Sequence, residues 1–218
     1  PHPPTRGRAS SFDETAAIVR QITAVGIRKL AVFHQNDGYG KAGLEGVQRA
    51  LTAQNLHPVA VGAVERNSTD VGAALHGILA AQPEAIVQIG AYKACATFIR
   101  LARQQGFAGN FYNVSSVGTQ ALLDELGSVA KGVSISQVMP FPYAPVMPLS
   151  ADYLAALKDR RGIAPNYSGM EGFVAARVFT EALDRAGRNA TREAFLSAVD
   201  GLQALNLGGF SLGFGPNK

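Results

Sequence analysis

The residues Gly38-Tyr39-Gly40-Lys41-Ala42-Gly43 match G-x-G-x-x-G, the pattern that seats a dinucleotide pyrophosphate on a helix N-terminus. The match follows an apolar run and opens a helical pattern. Glu65 stands at the end of the next expected strand, where such a fold keeps the acid that holds a ribose hydroxyl. Two features oppose nucleotide binding. Four polar residues, His34 to Asp37, separate the apolar run from the first glycine, whereas a phosphate turn is tight, and the gap to Glu65 is long. The other reading is a glycine-rich loop feeding a helix, with Asp37 as its cap. Gly209-Phe210-Ser211-Leu212-Gly213 matches a nucleophile elbow, but Asp and His must follow the serine. Only five residues follow Gly213, and none is Asp or His. His2, His34, His57 and His76 form no i,i+4 pair and have no cysteine beside them, so no metal site is expected. Cys95 lies in a helical pattern with Ala94, Ala96, Phe98 and Ile99 and reads as a buried, inert thiol. Lys158, Arg160 and Arg161 close a helix, where cations suit the dipole. No catalytic constellation survives, and neither an enzyme nor a cofactor is expected.

What remains is a set of polar and aromatic residues at the ends of expected strands. Asn36 to Tyr39 follow the first, Gly90 to Tyr92 the third, and Ser115 and Ser116 the fourth. In an open parallel sheet these ends form one rim, and each following helix aims its positive end at it. For the two serines the alternative role is a helix N-cap.

The elements that would position these residues alternate. Helical spacing over 13–25, with Gly26 as its stop, precedes a strand at 30–33. Helices at 39–54, 70–81, 93–105 and 117–126 then alternate with strands at 57–64, 85–89, 111–114 and 133–138. Five strands with four intervening helices predict an α/β fold, a parallel sheet with helices on both faces. The stretch MPFPYAPVMP (139–148) has four prolines in ten residues and reads as a crossing segment. Helical patterns at 149–161, 167–186 and 191–199 follow with no strand between them, and GGFSLGFGPN reads as a turn-rich extended end.

Composition excludes several classes. The 218 residues suffice for one large domain or two small ones, and 47% hydrophobic with 17% charged residues is a globular balance. Twenty basic against sixteen acidic residues give +4, but no Lys/Arg run exceeds two, so nucleic acid is not an expected partner. No stretch approaches 18 apolar residues. With one cysteine no intramolecular disulfide forms, and the chain opens on Pro1 without a recognisable signal peptide.

The ordered series Phe12-Asp13-Glu14, LAVFHQND and DGYGKAGLEGV resembles the second lobe of type I periplasmic binding proteins. The likeness is to the branched-chain amino-acid (Leu/Ile/Val) branch that feeds ABC transporters. It continues through AIVQIGAYKACATFIRLARQQGF, FYNVSSVGTQALLDELG, GVSISQVMPFP and NYSGMEGFVAARVFTEALDRAG, from about residue 8 onward. The resemblance implies two α/β lobes joined by three crossings, with a solute clamped between them and no catalysis. On that scheme residues 1–11 are a lead-in at the first crossing and 12–138 the second lobe. Residues 139–148 are a crossing, 149–207 helices of a first lobe whose sheet is absent, and 208–218 the start of the third crossing. The resemblance implies ligand contacts from Tyr39, from Tyr92 with Ala91 beside it, from Ser115 and Ser116, and from Tyr167. Similar proteins place an acid for the ligand ammonium where Ser115 or Ser116 stands here. A neutral hydroxyl pair instead suits a carboxylic or aromatic acid lacking an amine, which implies no strong preference for leucine, isoleucine or valine. The implied partners are a small amino acid or carboxylic acid and the membrane permease of an ABC transporter, in the periplasm. Helices that have lost their sheet imply self-association of the fragment. Two other readings stay open: a Rossmann-type nucleotide-binding enzyme using Gly38, Gly40 and Gly43, and the ligand-sensing domain of a receptor.

Overall fold

Leu30–Gln35 (β1) is the strand about which the rest of the sheet is arranged. The structure is a computed structural model and describes residues 10–160 and 162–214. These fall into two compact units, residues 10–138 and the described residues from Met139 to Phe214.

In the first unit, Ser11–Ala24 (α1) precedes β1. The helix starts two residues earlier than its apolar spacing predicts, because Ser10 and Asp13 form a reciprocal capping box. Residues 1–9 of the expected lead-in lie outside the described residues. Then follow Gly38–Thr52 (α2), Ala60–Val64 (β2), Gly72–Ala80 (α3), Ala85–Ile89 (β3), Tyr92–Gln104 (α4), Asn110–Asn113 (β4), Thr119–Leu126 (α5) and Val133–Ile135 (β5). The strands pair in the order β2-β1-β3-β4-β5, and every pair is parallel. Alternate residues separate the two faces. Ala31, Phe33, Ile86 and Phe111 meet Ile78, Phe98, Ile99 and Leu122 from α3, α4 and α5. Leu30, Val32, Val87 and Ile89 meet Ile18, Val19, Ile22, Val47 and Leu51 from α1 and α2. Helices thus cover both faces, as right-handed crossovers require.

Several boundaries differ from the sequence reading, each for a local reason. β1 runs on to His34 and Gln35, both buried, so the loop before α2 is only two residues long. β2 begins at Ala60 rather than 57, since Pro58 has no N–H to give a ladder. The helix expected at 117–126 is split into a 3₁₀ turn at Ser115–Val117 and α5 by Gly118, whose φ of 88° lies in the left-handed region. β5 is three residues long rather than six.

The second unit holds Pro148–Leu157 (α6), Tyr167–Ala186 (α7) and Arg192–Asp200 (α8). α6 opens on Pro148, whose missing N–H costs nothing in a first turn, and ends at Leu157, short of the predicted 161. Lys158 is therefore its C-cap, Arg160 lies past its end, and Arg161 is outside the described residues. Asn166 caps α7 and Thr191 caps α8 through side-chain oxygens. Leu205–Asn206 (β6) and Ser211–Leu212 (β7) form a small antiparallel pair after the helices. Ala182, Val199, Leu202 and Phe214 make this unit's core. On α7, Phe179 and Leu183, one turn apart, stay 54% and 42% exposed.

Candidate ligand-binding site

Because all five strands are parallel, the loops after β1, β3 and β4 leave the sheet at one edge. Between β1 and β3 the chain reverses its direction of travel across the sheet. That is the position where open α/β sheets form a crevice. Tyr39 follows β1 as the second residue of α2, Tyr92 opens α4 after β3, and Ala91 is its N-cap. Ser115 and Ser116 open the 3₁₀ turn after β4, and neither caps α5, whose N-cap is Gly118.

Tyr39 and Ser116 are brought together: the phenol oxygen lies 2.7 Å from the serine hydroxyl. Strand β3 lies between β1 and β4, so this bond reaches across its end. Tyr39 rests against the α1/α2 core and Tyr92 against the α3/α4/α5 core, each half-buried. The rim therefore carries one aromatic ring over each face of the sheet. Tyr167 belongs to the second unit, as the first residue of α7. There its ring meets Tyr143 edge-on at 5.8 Å, and burial, then Tyr143, push its phenol up from its ordinary value.

Sequence reasoning missed Glu14. Its side chain comes from the first turn of α1, is only 7% exposed, and accepts from the Ser115 backbone N–H and the Ser136 hydroxyl, both at 2.5 Å. Ser136 also holds the Asn113 carbonyl through its N–H at 2.9 Å. One carboxyl group thus ties α1 to the loops after β4 and β5. An acid does stand behind the serine rim, delivered by a helix 101 residues away in sequence.

The glycine pattern has a packing explanation. Asp37 caps α2, its Oδ1 accepting from Gly40 N at 3.0 Å. That N–H, and next the Gln35 side-chain amide, hold the Asp37 carboxyl below its ordinary value. A carboxyl with a lowered folded pKa stabilises above the ordinary value of 3.8 and loses that contribution as pH falls through the folded value. The midpoint of the Gly40 amide resonance's response to acid is accordingly expected below 3.8, the ordinary value of an aspartate carboxyl. A Cβ on Gly40 would overlap the Gln35 carbonyl, and one on Gly43 would come within 2.7 Å of Ile89. Only Gly38 faces open space. Glu65, the expected ribose acid, accepts from the Asn36 side chain at 2.6 Å. The short loop removes the first objection to nucleotide binding, but two of the three glycines serve the contact of α2 with β1 and β3.

Among the described residues no group of three metal-ligating side chains is found, and no helix is long and apolar enough to cross a membrane. Cys95 is fully buried and its thiol is pushed up to about 12. It is expected to resist iodoacetamide in the folded chain and to react once the chain is unfolded. Rapid labelling under native conditions would contradict its packing role.

A family model described as periplasmic binding protein matches residues 7–218. No curated protein sequence matches the chain. Among solved structures, a possible leucine/isoleucine/valine-binding protein from Rhodopirellula baltica SH 1 is 30% identical with a TM-score of 0.92 over 98% of this chain and 60% of its own. A substrate-binding periplasmic protein from Ralstonia solanacearum is 31% identical, with a TM-score of 0.84 over 93% of this chain and 58% of its own. A fatty acid ABC transporter substrate-binding protein from Thermomonospora curvata shares the fold at 18% identity, with a TM-score of 0.82 over 96% of this chain and 56% of its own. The chain spans about 60% of the length of the structures it matches.

Proposed function

This chain belongs to the periplasmic binding protein family, and from that premise we propose that it supplies one lobe of a non-catalytic solute receptor. The receptor captures a small amino acid or a related carboxylic or aromatic acid outside the cytoplasm and delivers it to the permease of an ABC transporter. The observation that carries this reading is the Tyr39–Ser116 bridge at the switch point of the sheet. It joins an aromatic ring and hydroxyls at the carboxyl ends of the strands, where open α/β sheets bind their ligands, and includes neither a nucleophile with its base nor a metal-ligand set. Tyr92, with Ala91 beside it, and Ser115 complete the proposed contacts on this lobe. Tyr167 keeps the role that the family resemblance gives it. We assign 12–138 to the second lobe and 149–207 to helices of the first. A fatty-acid-binding neighbour accords with a ligand lacking an amine.

The test is calorimetry with leucine, benzoate and NAD. In a protein carrying both lobes, Tyr39→Ala is expected to weaken binding of the preferred acid about 10–100-fold, while Tyr39→Phe retains most of it. The 218-residue chain alone is expected to bind only at about millimolar strength, since closed sites bury roughly 70–90% of their ligand and one rim gives about half of that. Micromolar NAD binding would sink the reading. The exposed Phe179 and Leu183 are expected to make this chain self-associate, and Phe179→Glu should return it toward a monomer in light scattering.

A further inference from the structure

Gln88 and Asn113 are paired neighbours on β3 and β4, and their side chains fall on the same face of the sheet, toward α3, α4 and α5. Gln88 is 0% exposed and Asn113 1%. The flanking register positions are apolar: Phe33 stands opposite Gln88 on β1, and Ile135 opposite Asn113 on β5. Gln88 Nε2 reaches only the Cys95 carbonyl, at 3.5 Å. Gln88 Oε1 and both Asn113 side-chain atoms have no partner. Buried amides left unpaired are costly, and two side by side in one core call for a shared partner.

The chemistry restricts that partner. Both groups are neutral amides, and an ion without a counter-charge would not be tolerated there. A cation would also want carboxylate or imidazole ligands. Asn113 Nδ2 needs an acceptor, and Gln88 Oε1 and Asn113 Oδ1 need a donor. Turning the Asn113 amide over leaves the same donor and acceptors to be met, and turning Gln88 over would set its oxygen against the Cys95 carbonyl. We propose that Gln88 and Asn113 together hold one neutral hydroxyl oxygen, enclosed between β3 and β4 beneath the rim. Its source is either a buried water, which forms about three hydrogen bonds in such places, or the hydroxyl of a solute entering from the crevice. The shared oxygen rests on burial and pairing alone, and its solute source rests in addition on the solute-binding reading.

Two measurements on the 218-residue chain test it. The first is NMR detection of contacts between the Gln88 and Asn113 side-chain amide protons and water, before and after adding 4-hydroxybenzoate. A long-lived water contact that persists identifies an enclosed water. A water contact replaced by ring-proton contacts identifies a solute hydroxyl. Neither contact overturns the proposal. The second is thermal melting of Asn113→Leu, Gln88→Met and the double variant. With a shared oxygen, each single change strips the other amide of its bridge and lowers Tm by about 3 °C. The double variant, with no polar group left, recovers toward the parent. If each single change raises Tm instead, the amides hold nothing and the proposal fails.

Discussion

Gly40→Ala is expected to destabilise the chain by about 4 kcal/mol or to prevent folding altogether. The added methyl would overlap the carbonyl carbon and oxygen of Gln35, which are backbone and cannot swing aside. That carbonyl already accepts the Asp37 N–H and sits beside the His34 ring. Relief would mean lifting α2 off the end of β1, and Tyr39 would leave the rim with it. Overpacking against side chains costs typically about 1–3 kcal/mol, so a backbone clash belongs above that range. Gly38→Ala, two residues earlier and facing open space, is the control and is expected to be neutral within about 0.5 kcal/mol. Chemical denaturation of the two variants decides between packing and phosphate cradling as the reason for these glycines. Equal stability of both would refute the packing account.

Glu14→Ala is expected to cost about 2–3 kcal/mol, seen as a Tm about 6–9 °C lower. The Ser115 N–H loses its acceptor in a part-buried place. Ser136 is less exposed to the loss, because its hydroxyl can still donate to the Asn113 carbonyl at 3.2 Å. Glu14→Gln keeps an acceptor oxygen of similar reach and should restore about half of the difference. The bond from Glu14 helps to hold the loop carrying Ser115 and Ser116, so Glu14→Ala should also weaken ligand capture in a protein with both lobes. A melting point unchanged within error would remove Glu14 from the site.

The sheet was legible in the sequence because it is buried on both faces. Central strands then read as apolar runs bounded by polar residues, Leu30 to Phe33 in β1 and Ala85 to Val87 in β3. The same rule truncated β1. His34 and Gln35 are polar, so the apolar run stops at Phe33, yet the His34 ring nitrogen meets the Gln35 carbonyl at 2.9 Å and both side chains stay buried. Asp37 was legible as a cap because capping is local, three residues from the amide it accepts. The Tyr39–Ser116 bridge spans 77 residues and the Glu14–Ser115 bond 101, and no spacing rule reaches so far. Glu14 gave no signal of its own. A carboxyl in a first helical turn reads as ordinary dipole compensation, and only the placement of that turn beside the loops after β4 and β5 gives it its partners.

The strand order has a consequence for how the sheet can be assembled during synthesis. β1 is made first and lies inside the finished sheet. β2 joins one of its sides, β3 the other, and β4 and β5 each extend the growing flank. Every newly made strand therefore meets an open edge, and none has to wedge itself between two strands already paired. An N-terminal portion ending after β3 already holds β1 with both of its neighbours, so the crevice where the chain reverses can be shaped before the residues that complete its rim have been made.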